Sequence, residues 1–316
     1  MNVREASDIC NQILREVGKV IVGKEDIIKK LLIAVLCDGH VLIEDYPGLA
    51  KTLMAKTLSK TLGCVFKRIQ FTPDLLPADI TGSYVFNQRT MEFEFRKGPI
   101  FTNILLADEI NRAPPKTQSA LLEAMQEEQV TVDGKTFKLK EPFIVIATQN
   151  PIEYEGVYPL PEAQVDRFLM KIRIGFPSRD DEIEILRRRI AWRTDFIEVN
   201  TIVDSKTVVE MQKAVEDVYV DDALLEYIVD ISRMTREHGR VELGVSPRGT
   251  VSLMKLARAK AVIDGRDYVI PDDVKFVAVE ALAHRLILKT EIWVRGIRPE
   301  DVIKEVIDKV PVPKGY

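Results

Sequence analysis

With 316 residues, 45 Lys plus Arg against 49 Asp plus Glu and a formal net charge of -4, the chain has room for a main domain and a smaller companion, and no global positive charge for nucleic acid or an anionic membrane. Cys10, Cys37 and Cys64 lie far apart without a C-x-x-C spacing, and His40, His238 and His284 are equally scattered, which argues against a disulfide framework or a zinc site. Apolar runs are too short to span a membrane and the amino terminus lacks the unbroken apolar core of a signal peptide, so the protein reads as cytoplasmic.

In chain order, Ile27, Ile28, Leu31, Leu32 and Val35 recur at helical spacing between Glu25 and Leu36, and Asp38-Gly39 stops that helix. HVLIED follows as a short buried strand, then a Pro47-Gly48 turn and a helical pattern from Lys51 to Leu62. NILLADE is a second buried strand ending in two acids, PPKTQSALLEAMQEE a helix entered through prolines, and PFIVIATQN a third strand ending in amides. Near-continuous apolar strands separated by helices imply an α/β fold with a parallel sheet covered on both faces, whose strand ends meet at one edge.

Two stretches alternate instead. YVFNQRTMEFEF (84 to 95) and QVTVDGKTFKL (129 to 139) read as hairpins projecting from the main sheet or as ordinary edge strands; in the second, Asp133-Gly134 suits a two-residue turn that sets Val130 opposite Phe137. Beyond Phe176-Pro177 the pattern becomes helical, over roughly 181 to 193, 206 to 216, 222 to 236, 247 to 262 and 272 to 287, with no convincing buried strand. The division expected is a nucleotide-binding α/β domain over 1–176 and a small all-helical domain over 177–316.

The chemistry concentrates at the strand ends. IEDYPGLAKT (43 to 52) sits between a strand and a helix, as a phosphate-binding loop of the form G-x-x-x-x-G-K-[ST] does. Lys51 and Thr52 are intact, whereas Asp45 and Ala50 occupy the glycine positions and Gly48 lies between them. Alanine is acceptable at position 50 if its backbone is near-helical, and an aspartate beside phosphates needs its side chain turned away or paired. In LLADEINR, Asp108 is placed to hold Mg2+ and Glu109 to polarise an attacking water. Asn150 in IATQNP, at another strand end, can orient that water or touch the outer phosphate. Arg167 in PEAQVDRF and Arg248 in SPRG can neutralise charge on a transferring phosphoryl group; each also suits a surface ion pair.

These five motifs in this order, from about residue 15 to 290, resemble the MoxR family of AAA+ ATPases, whose loop typically reads G-x-P-G-x-[AG]-K-T, so that Asp45 is the remaining departure. The resemblance implies an AAA+ core with a helical lid, ATP and Mg2+ as cofactors, and hydrolysis of ATP to ADP and phosphate to remodel or mature protein complexes. It implies that Lys51 and Thr52 form the Walker A pair within a loop running Asp45, Tyr46, Pro47, Gly48, Leu49, Ala50. Asp108 and Glu109 become the Walker B pair, with Thr52 and Asp108 on the metal. Asn150 becomes sensor 1, Arg167 the arginine finger acting on a neighbouring subunit's nucleotide, and Arg248 sensor 2 on the lid, acting in cis or across the interface. Val22 and Gly23 fall where such proteins grip adenine. The hairpins match the helix-2 insert and the pre-sensor-1 hairpin. The implied assembly is a homo-oligomeric, hexameric ring working with a separate protein that carries a von Willebrand factor type A domain. Two alternatives stay open: a nucleic-acid motor, in which Lys135, Lys138 and Lys140 on the second hairpin are offset by Glu127, Glu128 and Asp133, and a nucleotide-binding regulatory protein with little turnover.

Overall fold

The structure, a computed structural model, describes residues 1–151, 156–195 and 197–313. Two helices lead in: α1 (Val3–Gly18), started by a reciprocal cap between Asn2 and Glu5, and α2 (Glu25–Leu36). Next come β1 (Val41–Glu44), α3 (Lys51–Thr61), β2 (Phe66–Gln70) and the short α4 (Pro77–Thr81). A hairpin of β3 (Gly82–Asn87) and β4 (Glu92–Lys97) precedes β5 (Ile104–Asp108) and α5 (Pro115–Glu127). A second hairpin, β6 (Gln129–Val132) and β7 (Lys135–Lys138), leads to β8 (Ile144–Gln149), the one-turn α6 (Glu162–Val165) and β9 (Met170–Ile172).

The main sheet is fully parallel in the order β2-β5-β8-β1-β9. Its three central strands are the apolar runs legible in the sequence, and successive side chains serve opposite faces. Val41, Ile43, Ile104, Leu106, Ile144 and Ile146 join one buried cluster with α1 to α3, while Leu42, Leu105, Ala107, Val145 and Ala147 join another under α5. The two outer strands were not anticipated. β2 reads FKRIQ, half polar because it lies at an edge, and β9 pairs over only three residues.

The hairpins stand outside the main sheet, and Val130 pairs with Phe137 across the Asp133-Gly134 turn, both turn residues having positive φ. They do not project independently: Phe95 of β4 stacks on Phe137 of β7 at 4.3 Å, with Phe101 edge-on to both.

The remaining helices are α7 (Arg179–Trp192), α8 (Ser205–Glu216), α9 (Asp222–Glu237), α10 (Pro247–Ile263) and α11 (Pro271–Leu282). Here the sequence reading needs correcting. The last expected helix ends five residues early, in a 3-10 turn at Ala283–Arg285, because the chain must enter β11 (Ile287–Leu288), which pairs antiparallel with β10 (Val241–Leu243). Two further helices, α12 (Thr290–Val294) and α13 (Pro299–Lys309), follow. The helical part is also not a core of its own: α8 and α10 pack on α1 and α2, and one continuous apolar cluster runs from Ala6 to Val310.

Candidate functional site

β1, β5 and β8 deliver Asp45, Asp108 and Asn150 to the same edge of the sheet, where the loop from Pro47 to Leu53 closes a cleft of about 460 Å³. Pro47, Gly48, Leu49, Ala50, Lys51 and Thr52 line one side, and Asp108, Glu109 and Asn150 the other. No side chain caps α3, so its first backbone N–H groups open on this space as an anion site.

Of the loop's two unusual positions, Ala50 departs from expectation and Asp45 does not. Ala50 is not near-helical; it sits at φ 56, ψ 23, a left-handed conformation costing an L-residue roughly 1–2 kcal/mol. Gly48 takes φ 83 beside it. Asp45 needs no left-handed angle and turns its carboxylate out of the cleft: Oδ2 accepts the N–H groups of Ile174 at 2.7 Å and Gly175 at 2.6 Å, and Oδ1 that of Tyr46 at 2.8 Å. Tyr46 likewise turns away, stacking on Phe176. Neither Asp45 nor Tyr46 belongs to the lining of the cleft. Asp45 meets the loop lysine through its carbonyl, which accepts Lys51 Nζ at 2.6 Å. Burial lowers the Lys51 pKa from its ordinary value, and Asp45, Asp108 and Glu109 oppose the shift.

Thr148, buried on β8, organises the acid pair. Its hydroxyl donates to Asp108 Oδ1 at 2.6 Å and accepts the Glu109 N–H at 2.9 Å. Arg68 of β2 donates to Asp108 Oδ2 from Nε at 3.0 Å and Nη2 at 2.7 Å. Glu109, at φ 57 and ψ 50, is held through Oε2 by Gln70 Nε2 at 2.6 Å and Arg112 Nη1 at 2.9 Å. Sequence reasoning missed Thr148, Arg68 and Gln70. Alternation gave one signal, since Thr148 lies on β8 two residues before Asn150, which directly follows that strand; β2 gave none, because its pairing with β5 is long-range. The donor set suits a hard cation: a Thr52 hydroxyl and an Asp108 carboxylate, with no group of three or more His, Cys, Asp or Glu among the described residues to form a protein-only cage. Mg2+ is typically held in this manner, by one or two protein oxygens plus phosphate.

A second, apolar cleft of about 290 Å³ shares Gly48, Leu49, Ala50 and Leu53 with the first and continues past Val22, Ile174, Ile185 and Trp192. Val22 is part of that apolar lining. Gly23 does not line the cleft; at φ 65 its missing side chain makes room for the Asp181 carboxylate, which a Cβ would approach to 2.1 Å.

Arg167 and Arg248 line neither of these clefts. They share a third, of about 220 Å³, with Asp166, Lys255 and Arg285. Arg167 Nη1 donates to the Leu122 carbonyl at 3.1 Å, Arg248 pairs with Asp166 at 3.5 Å, and the almost fully buried Arg285 grips the same aspartate at 2.7 Å.

A lysine loop between strand and helix, strand-terminal acids and asparagine on a parallel sheet, and a helical part carrying the second arginine define an AAA+ ATPase. Residues 40–170 match the ATPase family associated with various cellular activities, and residues 233–306 the AAA lid domain. The chain is 52% identical over 301 residues to the uncharacterized protein YeaC of Bacillus subtilis (95% of this chain, 93% of that one) and 44% identical over 308 residues to chaperone MoxR1 of Mycobacterium tuberculosis (95% and 81%). A crystal structure from Cytophaga hutchinsonii, described as a candidate ATPase, superposes with a TM-score of 0.92 at 43% identity, covering 99% of this chain and 97% of that one. The chain belongs to the MoxR family of AAA+ ATPases.

Proposed function

We propose that this protein is a ring-forming, Mg2+-dependent ATPase that hydrolyses ATP to ADP and phosphate, each site being completed by the arginines of the next subunit. The observation that carries this reading is the separation of the machinery: Lys51, Thr52, Asp108, Glu109 and Asn150 converge on one cleft, whereas Arg167 and Arg248 share another. Arginines that line a cleft apart from their own subunit's lysine loop are placed to serve a neighbour's.

In this mechanism the uncapped amides of α3 receive phosphate oxygens, and Lys51 exchanges the Asp45 carbonyl for them. Thr52 and Asp108 would hold Mg2+, which when bound would neutralise phosphate charge. Glu109, aligned by Gln70 and Arg112, takes a proton from the attacking water, and Asn150 orients that water. The γ-phosphorus-to-oxygen bond to ADP breaks while the neighbour's Arg167 and Arg248 neutralise the departing charge. The apolar cleft at Val22 takes the adenine.

The ring is hexameric and cytoplasmic in this reading, which fits the lack of any helix among the described residues long and apolar enough to cross a membrane. Its work is remodelling or maturation of protein complexes, in line with the name chaperone given to MoxR1, and its partner is a separate protein with a von Willebrand factor type A domain. The test is steady-state ATP hydrolysis by wild type, Lys51→Ala and Arg167→Ala across subunit concentrations, with mass in solution recorded at each point. Specific activity that rises with assembly and is lost in both variants supports the reading; equal activity per subunit from dilute monomer overturns the shared site.

A further inference from the structure

We propose that Asp45 is a positioning residue that straps the phosphate loop to the segment joining core and lid, so that lid position follows the state of the loop. The inference rests on the ATPase reading above and concerns regulation of that same cleft.

Three consecutive residues at the end of β1 grip β9 and the segment leaving it. Glu44 receives Arg173 through Nη2 at 2.6 Å and Lys171 at 2.8 Å. Asp45 receives the backbone N–H groups of Ile174 and Gly175. Tyr46 stacks on Phe176 at 5.9 Å. The contacts continue the parallel register of β1 and β9, in which Ile43 faces Ile172, past the point where the strands end. Lys24 Nζ closes the same segment from the other side, donating to the carbonyls of Ile174 and Phe176 at 3.1 and 3.0 Å.

Both ends of this strap lead somewhere. On the loop side, the Asp45 carbonyl accepts Lys51, the lysine that phosphate draws away. On the lid side, Arg173 reaches Glu300 of α13 at 3.5 Å, and α7 begins three residues after Phe176, presenting Ile185 and Trp192 to the apolar cleft. Gly175 has φ 68, a conformation that other residues adopt only with strain, so the backbone geometry received by Asp45 is specific to this segment. Movement of Lys51 from carbonyl to phosphate changes the load on Asp45, and a carboxylate held by three N–H donors passes that change to the linker instead of absorbing it. The aspartate at a glycine position is thereby explained: its side chain works on the lid, and only its backbone works on phosphate.

The experiment compares wild type, Asp45→Gly and Asp45→Asn by hydrogen exchange at Ile174 and Gly175 with and without ATP, by ATP titration calorimetry, and by kcat and KM. Glycine restores the residue most phosphate loops carry, so a loop-only role for position 45 predicts an equal or better enzyme. The strap predicts instead that Asp45→Gly exchanges Ile174 and Gly175 at least about tenfold faster in the nucleotide-free protein, because those amides lose a charged acceptor. It also predicts that kcat falls about tenfold while ATP affinity changes less than about threefold, since lid placement and not binding is lost. Asn, which keeps one acceptor oxygen, rescues part of both effects. Wild-type exchange rates in Asp45→Gly, or a kcat equal to wild type, overturn the proposal. Failure of wild type to bind ATP overturns the ATPase reading, and the exchange rates of the nucleotide-free proteins still decide whether Asp45 holds the linker.

Discussion

Ala50 illustrates how much a single side chain leaves undetermined. Adjacent to Lys51 and Thr52, it looked tolerable on the assumption of near-helical angles, yet the chain must reverse there to bring the α3 amides toward the cleft, and that reversal uses φ 56. Substitution Ala50→Gly removes the left-handed strain but adds freedom to the unfolded chain, so the net gain is up to about 1 kcal/mol, read as a small rise in melting temperature of the nucleotide-free protein. At the same scale, Lys51, Thr52, Asp108, Glu109 and Asn150 were legible because each is a chemically distinctive residue at the end of an apolar strand or the start of a helix. Arg68 was not legible and Thr148 only faintly so, through alternation: a half-exposed arginine and a buried threonine acquire their roles when β2 and β8 lie either side of Asp108.

Among the elements, His40 shows why apolar strands alone do not fix the sheet against its helices. Immediately before β1, it bridges the end of α5 and β8: Nε2 lies 2.9 Å from the Met125 carbonyl, and Nδ1 accepts the Val145 N–H at 3.1 Å. These contacts require a neutral ring, and burial depresses its pKa from 6.5 to about 4. The sign follows. Above pH 6.5 the ring is neutral folded and unfolded; as pH falls toward 4 only the unfolded chain takes up the proton, so stability is lost across that window. Denaturant unfolding at pH 7.5 and pH 5 should therefore show a loss that is smaller by ~2 kcal/mol in His40→Gln than in wild type. The scattered histidines carried no chemistry in the sequence, and the structure gives this one a fastening role. Element boundaries were clearest where period and turn residues agreed, as at the Asp133-Gly134 hairpin, and weakest where tertiary pairing decides, as at β9 and β11.

For the whole molecule, the decisive fact is that the cleft holding Arg167 and Arg248 is not the one holding Lys51. If these arginines act on a neighbour, two inactive variants repair each other. Lys51→Ala subunits keep the arginine and Arg167→Ala subunits keep the lysine loop, so a random equal mixture creates a complete site at about a quarter of the interfaces of a closed ring. ATP turnover of the mixture should recover toward about that fraction of wild type at saturating ATP, whereas arginines acting within their own subunit leave it inactive.

The sequence by itself determined the parallel apolar strands, the lysine loop, the acid pair, the second hairpin turn and most of the helices, because each rests on residues within a few positions of one another. The tertiary structure alone decided where Asp45 points, which edge strand braces Asp108, how the lid shares its core with α1 and α2, and which cleft receives the arginines. Those outcomes depend on partners far away in the chain, as when Asp45 meets an amide 129 residues further on, and no local pattern encodes such a meeting.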